Sequence, residues 1–310
     1  MEDWDLIIIG AGPAGLTAGI YAGRSRLETL ILEEKMPGGE AAVTPLVENY
    51  PGFETISGLE LIEKMTAHCK KFGAQINELQ KAVSLDITGK KKLVKTNANT
   101  YSASAVIIAT GTHNRQLNVP GEEKFQGRGV SYCALCDGAF FKDKKVVVVG
   151  GGNSAATSAL YLSNIAAKVK LVHRRNQLRA GLTVVENLKR QNVEFLWNSV
   201  VKEVKGNNVV ENVILQNNKT GEESEVEVDG VFVQIGEVPN TQLVKGAGIE
   251  VDKGDYIIID ARQRTNVQGV FAAGDVTNGP VKQIGTAVGQ AIVAATEAFG
   301  YIKRPYYYKS

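Results

Sequence analysis

One pattern constrains this chain more than any other, and it occurs twice: a short apolar run, a glycine-rich turn, then a helical stretch. The first copy opens with Asp5–Ile9, an isoleucine-rich run of the kind buried on both faces of a parallel sheet. It enters Gly10-Ala11-Gly12-Pro13-Ala14-Gly15, a G-x-G-x-x-G, and continues into Leu16–Arg24, which reads as a helix. Pro13 suits the first helical turn, where the N–H that proline lacks has no intrahelical partner anyway. A second strand, Thr29–Leu32, leads to Glu33, 23 positions after Gly10. In such a unit the glycines let the backbone close on a pyrophosphate. The helix N-terminus offers free N–H groups and positive potential, and the terminal acid accepts from ribose hydroxyls. A glycine-rich turn alone is weak evidence. Strand, helix, second strand and acid in this order make a dinucleotide site.

The second copy begins at Lys145–Val149 and passes through Gly150-Gly151-Gly152-Asn153-Ser154-Ala155, a G-x-G-x-x-A, into a helix ending near Ser163. Its next strand, Val169–Val172, does not end in an acid. It ends in His173-Arg174-Arg175, with Arg179 four residues on. A charge run is usually a solvated face, but a cationic cluster at this point of the unit suits the extra phosphate of NADP. FAD is therefore expected in the first unit and NADPH in the second.

Further turns fit a flavin. Val106–Ile108 leads into Ala109-Thr110-Gly111, and Val270–Ala273 leads into Gly274-Asp275, whose carboxylate can serve the flavin ribitol. A helical stretch from Gly285 to Phe299 comes next, its positive N-terminal end suited to an anionic flavin edge. Because Gly274-Asp275 comes after the second cradle, the flavin domain must be split. The expected fold is α/β, with two Rossmann-like domains of the three-layer ββα type. The FAD domain spans residues 1–114 and 243–310, and the NADPH domain, residues 115–242, is inserted into it.

Composition narrows the class. Apolar residues are 44% and charged residues 22%, which excludes a disordered chain. The net charge of +2 gives no general pull toward nucleic acid or membrane. Apolar runs are far shorter than the roughly 20 residues that cross a bilayer. An acidic start (Glu2, Asp3, Asp5) without a basic region argues against a signal peptide, and three cysteines exclude a disulfide scaffold. A cytoplasmic enzyme is expected. The tyrosine-rich stretch Tyr306–Tyr308 reads as a chain end rather than an interface.

Between the cradles lies Cys133-Ala134-Leu135-Cys136-Asp137. A zinc site would need two more ligands, yet no second cysteine pair exists and His68, His113 and His173 are scattered. No metal is expected. Two inert structural cysteines are one remaining reading. A redox dithiol is the other, favoured because C-x-x-C permits a short-loop disulfide with one lowered thiol pKa. Asp137, next to the second cysteine, is placed to move a proton. Cys69 reads as an ordinary core or surface thiol.

Taken in order, the flavin cradle, Val47-Glu48-Asn49-Tyr50-Pro51-Gly52, Ala109-Thr110-Gly111, Cys133-x-x-Cys136-Asp137, the second cradle, His173-Arg174-Arg175-x-x-x-Arg179 and Gly274-Asp275 resemble low-molecular-weight thioredoxin reductases. The resemblance covers nearly the whole chain, and its most specific element is the dithiol lying on the NADPH unit. It implies that Cys136 faces the flavin, Cys133 attacks thioredoxin or a thioredoxin-like protein, and Asp137 is the acid. It also implies cofactor contacts at Gly38, Gly39, Glu40, Asn49, Val83, Gln283, Ile284 and Gly236, and a homodimer. Glu40 stands where bacterial members often have glutamine, and Thr157-Ser158 where they often have two acids. These departures suggest an outlying, archaeal branch. Rival readings are a dithiol oxidase using oxygen, the same chemistry fed by a deazaflavin or ferredoxin, and a nucleotide-binding protein without turnover. The intact arginine cluster argues for NADPH.

Overall fold

The computed structural model describes residues 2–44, 47–191 and 193–304, so Tyr306–Tyr308 lie outside the described residues. The first segment holds β1 (Glu2–Ile9), α1 (Pro13–Arg24), β2 (Thr29–Leu32), α2 (Gly58–Lys71), β3 (Gln75–Asn77), β4 (Ala82–Asp86), β5 (Lys92–Thr96) and β6 (Thr100–Ile108). After β7 (Thr112–Asn114) come β8 (Val130–Ser131), α3 (Ala134–Asp137), β9 (Lys145–Gly150), α4 (Asn153–Leu162), β10 (Lys168–His173), α5 (Leu182–Arg190) and β11 (Val193–Trp197). Three antiparallel strands succeed them, β12 (Ser199–Gly206), β13 (Val210–Asn217) and β14 (Glu223–Glu227), and then β15 (Gly230–Gln234). The last described elements are β16 (Glu237–Pro239), α6 (Gln242–Lys245), β17 (Val270–Ala272) and α7 (Ile284–Lys303).

These elements form two compact units. Residues through His113 and from Val238 onward make one, and Asn114–Glu237 make the other. The second unit ends short of residue 242 because α6 packs into the first: Val244 on that helix is fully buried in the same cluster as Ile7 and Val106.

In the first unit β3, β2, β1, β6 and β17 lie side by side and parallel. The strand β6 belongs to two layers. Its first half pairs antiparallel with β5 (Lys92 opposite Ala103), and its second half pairs parallel with β17 (Val106 opposite Val270). Side chains alternate along β1 as a doubly covered strand requires. Leu6 and Ile8 face the helices with Ile31, Ile107 and Phe271, while Ile7 and Ile9 face the opposite layer with Val94, Tyr101 and Ile257. Along α7, Ala287, Ala291, Ala294, Ala295 and Ala298 recur at helical spacing, and their small side chains are buried in the cluster that includes α1. Cys69 belongs to this core; it is fully buried, and burial pushes its thiol up to about 12.

The second unit has its own parallel sheet in the order β11-β10-β9-β15-β8. One face carries α4 and α5 over Val146, Val148 and Leu171; the other is covered by β12–β14 over Val147 and Val149. Among the described residues no helix is long and apolar enough to cross a membrane.

Candidate active site

The first cradle forms where β1 runs out. Gly10 sits at φ 103°, where side chains are disfavoured, and a Cβ there would lie 2.4 Å from the Ala109 carbonyl oxygen. A Cβ on Gly15 would lie 1.8 Å from the Gly10 carbonyl oxygen, so this turn closes only with glycine at both positions. Gly12 is the N-cap of α1 and Pro13 its first residue; no side chain caps this helix and its first turn holds no acid. Its leading N–H groups are thus left for an anion. The Glu33 carboxylate accepts from the N–H groups of Ala11 (2.7 Å) and Lys35 (2.9 Å), which fixes it beside the turn. Gly38 donates its N–H to the Ala11 carbonyl at 2.9 Å and brings the Gly38-Gly39-Glu40 turn alongside.

The turns after the other parallel strands of this unit close at the same end of the sheet. Ala109 N–H donates to Ile9 and Ala273 N–H to Ile108, so the turns after β6 and β17 leave neighbouring strand ends. Gly274 abuts the first turn of α1, since a Cβ on it would lie 3.0 Å from that of Ala14, and it carries half-buried Asp275. Asn49 Nδ2 donates to Gln283 Oε1 at 3.0 Å across 234 positions, at the N-cap of α7 just before Ile284. Val83 is the extra residue where the β4–β5 register slips between Ala82 and Ser84, which takes its backbone out of the ladder. Sequence reasoning missed Asn240. It grips the Thr110-Gly111 turn by three bonds: Nδ2–H to the Thr110 carbonyl (2.8 Å), its carbonyl from the Thr110 hydroxyl (2.8 Å), and its N–H to the Gly111 carbonyl (3.0 Å). No motif would have flagged it.

The second cradle repeats the design. Gly152 caps α4 without a side-chain bond and the first turn, which includes Ser154, holds no acid. Fully buried Ala155 seats the helix against Gly150. Arg179 N–H donates to the Gly151 carbonyl (2.7 Å) and Gly181 N–H to Asn153 Oδ1 (2.9 Å), which fastens the arginine loop to the cradle. Arg174, Arg175 and Arg179 are exposed, and among the described residues none pairs with a carboxylate. The expected cluster nevertheless divides. His173 is only 5% exposed, and its ring fills the space a Gly151 side chain would need. Burial first, and then the three arginines, push its pKa down, against a hydrogen bond with the Gln177 backbone. It supports the turn as a neutral ring rather than adding a surface cation. Gly236 comes just after β15 at the same end of the sheet and accepts from Arg115 N–H at 2.9 Å.

Cys133 and Cys136 form a disulfide, with Cys133 at the N-cap of α3 and the Cys136 N–H directed at its sulfur (3.1 Å). Cys133 N–H donates to the Ser131 hydroxyl (3.1 Å), and that hydroxyl donates to Asp137 Oδ2 (2.6 Å). Asp137 Oδ1 is buried without a partner. Burial pushes the Asp137 carboxyl up, and the Ser131 bond opposes this only in part. Among the described residues no cluster of three or more His, Cys, Asp or Glu is arranged to hold a metal ion.

Residues 4–291 match the family of pyridine nucleotide-disulphide oxidoreductases. The thioredoxin reductase of Bacillus subtilis is 47% identical over 97% of this chain and 95% of its own length. A thioredoxin reductase structure from Streptococcus pyogenes superimposes with a TM-score of 0.93 at 44% identity, over 98% of this chain and 99% of that one. The Giardia duodenalis thioredoxin reductase gives 0.93 at 34% identity, over 98% and 100%. The chain belongs to the pyridine nucleotide-disulphide oxidoreductase family, among its low-molecular-weight thioredoxin reductases.

The environment of Asp137 fixes a pH dependence. Its folded pKa lies above the unfolded value, so the carboxyl costs stability as pH rises from the ordinary carboxylate range through the raised value. Asp137→Asn should raise the melting temperature more at pH 8 than near pH 3.5, below the ordinary carboxylate value, and a role of Asp137 as proton donor would show as a roughly 100-fold fall in dithiol turnover. An equal thermal gain at both pH values would contradict the buried-carboxylate account.

Proposed function

We propose that this protein is an FAD-containing, NADPH-dependent reductase of thioredoxin disulfide. The observation that carries the reading is the pairing, in one unit, of a Cys133–Cys136 disulfide with a glycine cradle whose attached loop carries three exposed arginines, none of them paired with a carboxylate among the described residues. The separate Glu33 cradle supplies the second dinucleotide site. When bound, FAD supplies a two-electron carrier between a nicotinamide donor and a disulfide. Gly10, Gly12 and Gly15 with the α1 N-terminus would hold its pyrophosphate, Glu33 a ribose, and Asp275 the ribitol. The uncapped α4 N-terminus would hold the NADPH pyrophosphate, and Arg174, Arg175 and Arg179 its 2′-phosphate.

On the protein the chemistry is thiol exchange. The Cys133 thiolate attacks a sulfur of the thioredoxin disulfide, forming a mixed disulfide and expelling one thioredoxin thiolate. Cys136 then attacks Cys133, reforming the internal disulfide and releasing the second thioredoxin thiol. The expelled thiolates take protons, and Asp137, next to Cys136 and with its carboxyl pushed up by burial, is the side chain placed to supply one. The reading includes a homodimer in the cytoplasm, which sedimentation and cell fractionation would check.

Two experiments test these assignments. A charge-assisted contact to phosphate is worth about 1.5–3 kcal/mol, so Arg175→Ala should lower kcat/KM for NADPH roughly 10- to 100-fold and leave NADH turnover nearly unchanged. Equal loss for both would mean that the arginine is structural. For the cysteines, Cys136→Ser should trap a mixed disulfide with thioredoxin through Cys133, whereas Cys133→Ser should not. The opposite pattern exchanges the two roles.

A further inference from the structure

Glu122 belongs to neither cradle nor the dithiol, yet it is only 4% exposed. A carboxylate buried so far needs partners on both oxygens. Oε1 accepts from Leu117 N–H and from the Tyr132 hydroxyl, each at 2.8 Å, and Oε2 accepts from Asn118 N–H at 2.8 Å. Leu117 and Asn118 lie on the stretch by which the chain enters the second unit, and Asn118 is held at φ 57°. Tyr132 immediately precedes Cys133. Its ring packs in the same apolar cluster as Leu117 and Val119, and its carbonyl accepts from Gln234 Nε2 at 2.7 Å. Gln234 ends β15 directly opposite Gly150. Tyr132 is therefore held at its hydroxyl and at its carbonyl, and the next residue is the first cysteine.

We infer that Glu122 is a positioning residue for the Cys133–Cys136 pair. Through the Tyr132 hydroxyl it fixes the backbone from which Cys133 projects, and so keeps the two sulfurs within bonding reach. The inference rests on the dithiol reading of the proposed function. Two thiols held together close to a disulfide more favourably than two that drift apart, because each sees the other at higher effective concentration. Loosening Tyr132 therefore shifts the pair toward its dithiol form. A general loss of stability would not, since it leaves the folded loop as it was.

The test is equilibration of the holoenzyme in glutathione buffers: enzyme disulfide plus two glutathione thiols gives enzyme dithiol plus glutathione disulfide. The dithiol fraction is read by mass after alkylation. Tyr132→Phe keeps the ring and its packing, and Glu122→Gln keeps the shape of the buried side chain. Both should shift the equilibrium constant about three- to tenfold toward dithiol, the effect expected of one hydrogen bond. An unchanged constant in Tyr132→Phe overturns the inference, whatever Glu122→Gln does. The assay contains neither NADPH nor thioredoxin, so failure of the proposed overall reaction would show separately, in turnover of the wild-type enzyme.

Discussion

The first unit depends on one short pairing, that of β17 with the second half of β6. Three residues on each strand make it, Val270, Phe271 and Ala272 against Val106, Ile107 and Ile108, and all six are buried. It places the turns after both strands beside Gly10 and the α1 N-terminus, so a cofactor site assembled from distant segments exists only if it forms. The chain between the two strands contains a whole second unit. Closing so long a loop is less costly than its length suggests, since each doubling adds only about 0.6 kcal/mol. The ends must still be brought together. The three hydrogen bonds between Asn240 and the Thr110-Gly111 turn do this, fixing where the chain leaves the unit against where it returns.

The two cradles show how one backbone device is given two specificities. Both leave a helix N-terminus uncapped, which would cost helix stability unless an anion completes it. They differ at the end of the second strand. In the first unit a carboxylate is fixed by two main-chain N–H groups. In the second, three guanidiniums extend into solvent from a loop fastened by its own backbone to the glycine turn. Keeping His173 neutral beneath that turn avoids placing a fourth positive charge, without solvent, next to the other three.

The sequence was most legible where backbone sterics leave one solution. Gly10 and Gly15 cannot carry side chains, so the cradle shows in the residues themselves; the C-x-x-C shows for a similar reason of reach. Expected strands and helices shifted at their ends, as with β1 beginning at Glu2 rather than Asp5, because edge positions half exposed to solvent lack the apolar signal. The arginine cluster was legible as charge, but burial of His173 was not, since its partner is the absent side chain of Gly151. Residues that work by reaching across the fold left no pattern. Asn240 and Glu122 look like ordinary loop residues until Thr110 or Tyr132 is seen beside them.

The central claim is that the two cradles are wired in series to the Cys133–Cys136 pair. Anaerobic stopped-flow spectroscopy of the FAD-loaded enzyme tests it most directly. NADPH should bleach the flavin absorbance, NADH at the same concentration should do so far more slowly, and oxidised thioredoxin added next should restore the colour. No bleaching by either nucleotide, or bleaching that thioredoxin does not reverse, would contradict the account.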